Sequence, residues 1–155
     1  MALLVFQFGL IDNFLKFMAS KAYRKLHKID SRGVASSTSI NYGEFGVKIL
    51  DGSVVYEKEL EAAKKAATKI IKTHGGYVVI RLSHKLSYTS KGIGARLGGG
   101  KGGVDGYCFN ALSGSLVMEF CGVGKEVAIE AFNAAKSKLS SNVSLVRKKF
   151  AFINA

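Results

Sequence analysis

Apolar residues recur at helical spacing in two places along this 155-residue chain. From Val55 to His74, Leu60, Ala63, Ala67 and Ile70 or Ile71 return every third or fourth position, while Lys58, Lys64, Lys65, Lys69 and Lys72 fill the opposite side. That period predicts an amphipathic helix with one buried face. Glu57, Glu59 and Glu61 stand in its first turns with the lysines after them, the order that complements the helix dipole, and Gly75-Gly76 supplies the stop. A second helix is predicted over Lys125–Leu139, where Val127, Ala131, Ala135 and Leu139 follow one another near helical spacing, with Glu126 and Glu130 early in the run. Both helices are rich in alanine, whose small side chain lets a helix lie close to a sheet.

Runs of β-branched and aromatic residues predict strands at Tyr77–Leu82, Tyr107–Leu112, Ser115–Cys121 and Ser144–Phe152. Tyr42 to Ile49 reads as aromatic-glycine turns leading into a further strand, and Ser113-Gly114 as a two-residue turn joining the middle pair into a hairpin. The order helix, strand, loop, hairpin, helix, strand gives an α+β fold: a two-layer α/β sandwich with two helices on one face of a mixed β-sheet. A hydrophobic content of 48% supports a real core, and the length suits one domain, placed at 21–155. Proline is absent, so the turns rely on glycine, serine and asparagine. Cys108 and Cys121 lie in apolar strand-like runs without C-x-x-C spacing, which predicts buried, reduced thiols rather than a disulfide or metal site.

Residues from about 83 to 106 show no core pattern, and loops of that length in a compact domain are usually functional or disordered. Within them, Lys91 to Gly103 is dominated by glycine and carries only positive charge. Glycine loses more conformational freedom on folding than any other residue, and only Ile93, Ala95 and Leu97 could bury apolar surface there, so a partner must order the segment. A bare backbone beside Arg96 and Lys101 suits a phosphate-rich one. The whole chain agrees, since 23 Lys and Arg against 11 Asp and Glu leave a net charge of +12.

The first 20 residues form an apolar N-terminal extension, read as helical because Phe6, Leu10, Phe14 and Phe17 fall near one helical face. That face would dock on the domain itself or on a neighbouring protein. Gln7, Asp12, Asn13 and Lys16 interrupt the stretch, which argues against a membrane span, and Asp12 with no arginine before Arg24 argues against a cleaved transit peptide. Behind it comes a basic arm, Lys21 to Lys28, in which Tyr23 and His27 are interleaved with lysine and arginine, followed by Arg32. Such an arm can lie along a sugar-phosphate backbone.

Catalytic chemistry finds no footing. Gly98 to Gly103 satisfies G-x-G-x-x-G in form, but the fingerprint needs a helix after it, and Tyr107 to Leu112 reads as a strand. The phosphate-loop motif fails too, with Ala95 where it needs glycine and Gly102 where it needs serine or threonine. His27, His74 and His84 are far apart, and the acids form no acid-base pair. No enzyme and no cofactor are expected.

The order of motifs resembles the large-subunit ribosomal protein sixteen family of the bacterial scheme. The resemblance runs from about Tyr23 to Leu139, through Arg24-Lys25-Leu26-His27-Lys28, Gly43-Glu44-Phe45-Gly46-Val47-Lys48, Glu61 to Ala66, Val79-Ile80-Arg81-Leu82, Ala95-Arg96-Leu97-Gly98 with Gly100-Lys101-Gly102, and Gly122-Val123 followed by Ala131-Phe132. It implies a non-catalytic α/β sandwich bound to large-subunit ribosomal RNA at the base of the central protuberance. The implied RNA contacts are Arg24, Lys25, His27, Lys28, Arg32, Arg81 and Lys85. The implied loop facing the peptidyl-transferase region and the aminoacyl-site transfer RNA holds Lys91, Arg96, Gly98, Gly100, Lys101 and Gly102. The chain departs from the family at Leu82 to Leu86, which lacks the usual proline, and at Gly98 to Gly102, which has one lysine fewer. The phenylalanine-rich extension suggests an organellar ribosome, with the mitochondrion favoured over a plastid-type organelle or bacterial cytoplasm. The competing reading is an extra-ribosomal module that binds RNA or an anionic membrane surface.

Overall fold

In the computed structural model, the residues described are 25–26, 29–35 and 38–148. Among them, seven strands and two helices follow in the order β1 (Phe45–Ile49), β2 (Ser53–Tyr56), α1 (Glu57–Thr73), β3 (Tyr77–Ile80), β4 (Lys85–Ser90), β5 (Gly103–Ala111), β6 (Leu116–Cys121), α2 (Lys125–Lys136) and β7 (Val143–Arg147). The fold is α+β.

The period read in the first helix sets its burial: Leu60, Ala63, Ala67 and Ile71 are buried, and α2 buries Ala128, Ala131 and Ala135. These stripes join Phe45, Val47, Ile49, Met118 and Phe120 of the sheet in one core, with the two helices packed on each other. The glycine stop acts through a defined geometry. Gly75, at φ +76°, donates to the Lys72 carbonyl at 3.2 Å while Gly76 donates to Ile71 at 3.1 Å, the paired bonds that close a helix on a left-handed residue.

The expected single mixed sheet is in fact two sheets, ordered β3-β6-β1-β7 and β2-β5-β4. Every ladder seen in the four-stranded sheet is antiparallel: Phe45 faces Phe120 and Arg147, and Val78 faces Phe120. The expected hairpin is likewise replaced, because β5 belongs to one sheet and β6 to the other. A turn does form between them, with Ser115 donating to the Leu112 carbonyl at 3.0 Å, but both edges of β6 are taken by β1 and β3.

The first helix begins two residues later than its periodicity suggests. Val55 and Tyr56 instead extend β2, opposite Phe109 and Cys108, a pairing that rewards β-branched and aromatic side chains more than a helix start does. The second helix ends at Lys136, and Lys138 and Leu139 close it with tighter turns onto Ala135 and Lys136. Strand β3 stops at Ile80 rather than Leu82, and β7 runs Val143–Arg147 rather than Ser144–Phe152. The patternless stretch is shorter than expected, for β4 and the early part of β5 occupy its two ends and leave residues 91–102 as the connection. The proposed helix at 1–18 lies outside the described residues, as do positions 149–155.

Contacts divide the chain into two compact units. Leu86–Tyr107 with Lys25 and Leu26 belong to one, and 29–85 with 108–148 to the other. The second holds both helices and the four-stranded sheet, and so is the two-layer sandwich.

Both cysteines are free and buried, as their apolar runs imply. Burial pushes both thiols above their ordinary range. Iodoacetamide at pH 8 is therefore expected to alkylate Cys108 and Cys121 at least about tenfold more slowly in the native chain than in urea, read by mass spectrometry. Equal rates would show that the thiols are open to solvent. A raised thiol pKa contributes stability that is complete below the unfolded value of about 8.5 and is lost as pH rises through and beyond it.

Candidate nucleic-acid interface

The connection between β4 and β5 meets the physical description of a segment that needs a partner. Residues 91–101 are all exposed, and Ile93 and Leu97 hold apolar side chains fully in solvent. Gly98, Gly99 and Gly100 take φ values of +98°, +69° and +79° in succession. A Cβ added at any of the three would meet nothing within 4 Å, so glycine is required here by backbone dihedral and not by crowding. The path leaves a concave backbone segment of about 350 Å³ bordered by Lys91, Arg96 and Lys101. Lys91 Nζ donates to the Gly98 carbonyl at 2.7 Å, and Lys25 Nζ donates to the Lys101 carbonyl at 3.3 Å. Two of the basic candidates thus brace the loop, while Arg96 and Lys101 keep uncompensated charge among the described residues.

Other candidates are committed elsewhere. Arg32 is exposed, but its Nε and Nη2 grip Asp30 at 2.9 and 2.7 Å, and that hydrogen bond raises its already high pKa. Lys85 Nζ lies 2.5 Å from Glu57 Oε1, both side chains about a third exposed. Arg81 is 20% exposed and its Nε lies 3.3 Å from Oε1 of Glu119, whose side chain is wholly buried. Its guanidinium carbon sits 5.3 Å from the Tyr42 ring centroid. Arg24, His27 and Lys28, together with Phe6, Leu10, Phe14 and Phe17, lie outside the described residues.

Glu119 escaped the sequence reading, and it organises this part of the molecule. Its carboxylate accepts the backbone N–H groups of Asn41, Tyr42 and Gly43 at 3.2, 2.7 and 3.0 Å. Gly43 fits because a Cβ there would stand 2.2 Å from the Phe120 carbonyl oxygen. The clamp thereby holds Tyr42 at the surface, where it is an exposed aromatic beside a cation. A signal for it stands in the sequence: Glu119 is the one charge in Leu116 to Cys121, and Arg81 follows the apolar run Val78-Val79-Ile80. A charge inside one apolar run and a charge at the end of another require each other, since a buried charge is tolerated when paired and hydrogen-bonded.

Arg81 also borders a cleft of about 380 Å³ with His84 and Asn110. Asn110 Nδ2 donates to the Asp30 backbone carbonyl at 2.6 Å, while its side-chain Oδ1 is buried without a partner among the described residues. Among the described residues, no group of His, Cys, Asp or Glu could hold a metal ion, and no helix is long and apolar enough to cross a membrane.

Residues 18–146 match the sequence profile of the family described as ribosomal protein L16p/L10e. The chain is 38% identical over 128 residues to the large ribosomal subunit protein uL16 of Limosilactobacillus reuteri (strain DSM 20016), an alignment covering 82% of this chain and 88% of that protein. It is 35% identical over 127 residues to uL16 of Oenococcus oeni, covering 81% and 88% respectively. Against uL16 of Buchnera aphidicola subsp. Acyrthosiphon kondoi it is 36% identical over 126 residues, covering 81% and 92%.

Proposed function

The chain belongs to the ribosomal protein L16p/L10e family, and from that premise we propose that its glycine-rich loop and basic arm lie on large-subunit ribosomal RNA and help shape the site that receives aminoacyl-transfer RNA. It is a ribosomal protein of the large subunit, a structural component and not an enzyme. The observation that carries the finer reading is the loop over residues 91–102, inside the family match, with Arg96 and Lys101 uncompensated among the described residues and Ile93 and Leu97 in solvent. Left-handed glycines let a backbone approach crowded phosphates, and two cations offset the repulsion between RNA strands that meet there. Lys25 and the arm around it supply further phosphate contacts, whereas Arg81 and Lys85, engaged with carboxylates, act first within the protein. The phenylalanine-rich stretch 1–18 supports a mitochondrial ribosome as its home, with a neighbouring ribosomal protein against Phe6, Leu10, Phe14 and Phe17. The relatives compared are bacterial, a bacterial ribosome being the alternative.

Crosslinking from Arg96 and Lys101 in gradient-purified large subunits tests this reading. Expected are crosslinks to RNA near the peptidyl-transferase region and, with substrate bound, to transfer RNA. Arg96→Ala combined with Lys101→Ala should leave subunit assembly intact and slow peptide synthesis by about tenfold, equivalent to about 1.4 kcal/mol. Subunits that fail to assemble would make the loop architectural and overturn its role at the transfer-RNA site. Absence of the protein from large subunits would overturn the whole reading.

A further inference from the structure

We propose that the lysine face of α1, centred on Lys65, Lys69 and Lys72, is a second docking surface for an RNA phosphate backbone, distinct from the glycine-rich loop. The inference rests on the ribosomal reading above and adds a surface to it. On a helix of 3.6 residues per turn, Lys58, Lys65, Lys69 and Lys72 fall within one narrow stripe, Glu61 stands at its edge, and Lys64 lies about 80° beyond it. All five are exposed, and among the described residues none has an ion-pair partner.

Ordinary solvated helix faces interleave both signs at spacings of three and four. Here Glu61 stands four before Lys65, but beyond it Lys65 and Lys69 are four apart, and Lys69 and Lys72 three apart, with no carboxylate between them. Like charges at those spacings destabilise a helix, so the face is unfavourable until something anionic covers it. The helix's own carboxylates give little relief. Glu57 is held by Lys85, and Glu59 accepts hydrogen bonds from Ser140 Oγ at 3.1 Å and from the Tyr56 N–H at 3.4 Å. Only Glu61 remains along the groove, about 840 Å³ in volume, that the lysine stems form with Thr68 and Thr73.

Spacing points to a nucleic-acid strand. Lys65 to Lys72 spans about 10 Å of helix axis at 1.5 Å per residue, so three charges recur roughly every 4–6 Å, within a factor of two of the charge repeat of about 3.4 Å along one strand and within reach of flexible lysine stems. Lysine, a compact hydrated cation on a flexible stem, suits phosphate contact without base reading. A membrane surface is disfavoured because an interfacial helix inserts its apolar face, and here Leu60, Ala63, Ala67 and Ile71 are already buried in the core.

The test measures binding of the full-length chain to its large-subunit ribosomal RNA across a salt series. The triple variant Lys65→Gln/Lys69→Gln/Lys72→Gln is expected to lower the slope of log affinity against log salt by about two to three, at roughly 0.7–0.9 for each phosphate that is no longer neutralised. Its thermal midpoint should be unchanged or higher, since the substitutions relieve repulsion. The corresponding Lys→Arg triple keeps the charge and should keep the slope. An unchanged slope in the Gln triple, while Arg96→Ala/Lys101→Ala lowers it, would overturn the α1 surface and leave the loop reading standing. A wild-type chain with no salt-dependent RNA binding would overturn both. If the Gln triple left RNA binding intact but lost binding to phosphatidylglycerol vesicles, or lost a crosslink to a neighbouring ribosomal protein, the face would serve that partner and the proposal would be wrong.

Discussion

Replacing Glu119 by alanine is expected to destabilise the fold by about 3–5 kcal/mol, the usual cost of leaving a buried charge without its partner. For a chain of this size that corresponds to a fall of roughly 6–20 °C in thermal midpoint, at about 2–4 °C per kcal/mol. Two losses combine. Arg81, 20% exposed, loses its counter-charge, and the N–H groups of Asn41, Tyr42 and Gly43 lose their acceptor. Glu119→Gln keeps one acceptor oxygen and should fall between wild type and alanine. Arg81→Met should cost less than Glu119→Ala, because the carboxylate would keep its three backbone donors. Thermal melts of the three variants by circular dichroism decide the matter. A Glu119→Ala midpoint within about 2 °C of wild type would mean that water or other groups replace the clamp.

Phe120→Ala is expected to cost a similar amount, about 3–5 kcal/mol, for a different reason. Phe120 is fully buried, sits between Phe45 and Val78 in the sheet, and belongs to the core cluster shared with the helices. Removing the ring leaves a cavity that the flanking strands can fill only in part. Urea unfolding measures it, with the midpoint expected to drop and the slope to stay constant, since the surface exposed on unfolding hardly changes. Phe120→Leu should recover much of the loss. Were Phe120→Ala as stable as wild type, the four-stranded sheet and helices would not share one core.

The two residues are neighbours in the chain and differed in legibility. Phe120 lies in an apolar run, so its burial followed from pattern alone. Glu119 is just as buried, yet its partners are 38 residues away at Arg81 and 76 to 78 away at Gly43, Tyr42 and Asn41. Hydrophobic period says which face is buried but not which distant donors meet there. The same limit explains the basic candidates. Arg81 and Lys85 are cations in the sequence like Arg96 and Lys101, and the fold places a distant carboxylate, Glu119 or Glu57, beside each of the first two, whereas Arg32 meets Asp30 only two residues away.

The sequence by itself determined the two helices and their buried stripes, the principal strands of the core, the buried free thiols and the absence of a core pattern in the glycine segment. Those features arise from local periodicity, propensity and conformational entropy, which act over a few residues. Tertiary structure alone decided that the strands form two sheets instead of one, that Ser113-Gly114 joins those sheets instead of closing a hairpin, that β4 exists, and which charges stay free. Strand pairing and the ion pairs of Arg81 and Lys85 depend on edges and counter-charges brought together from far along the chain, and no local pattern encodes that closeness.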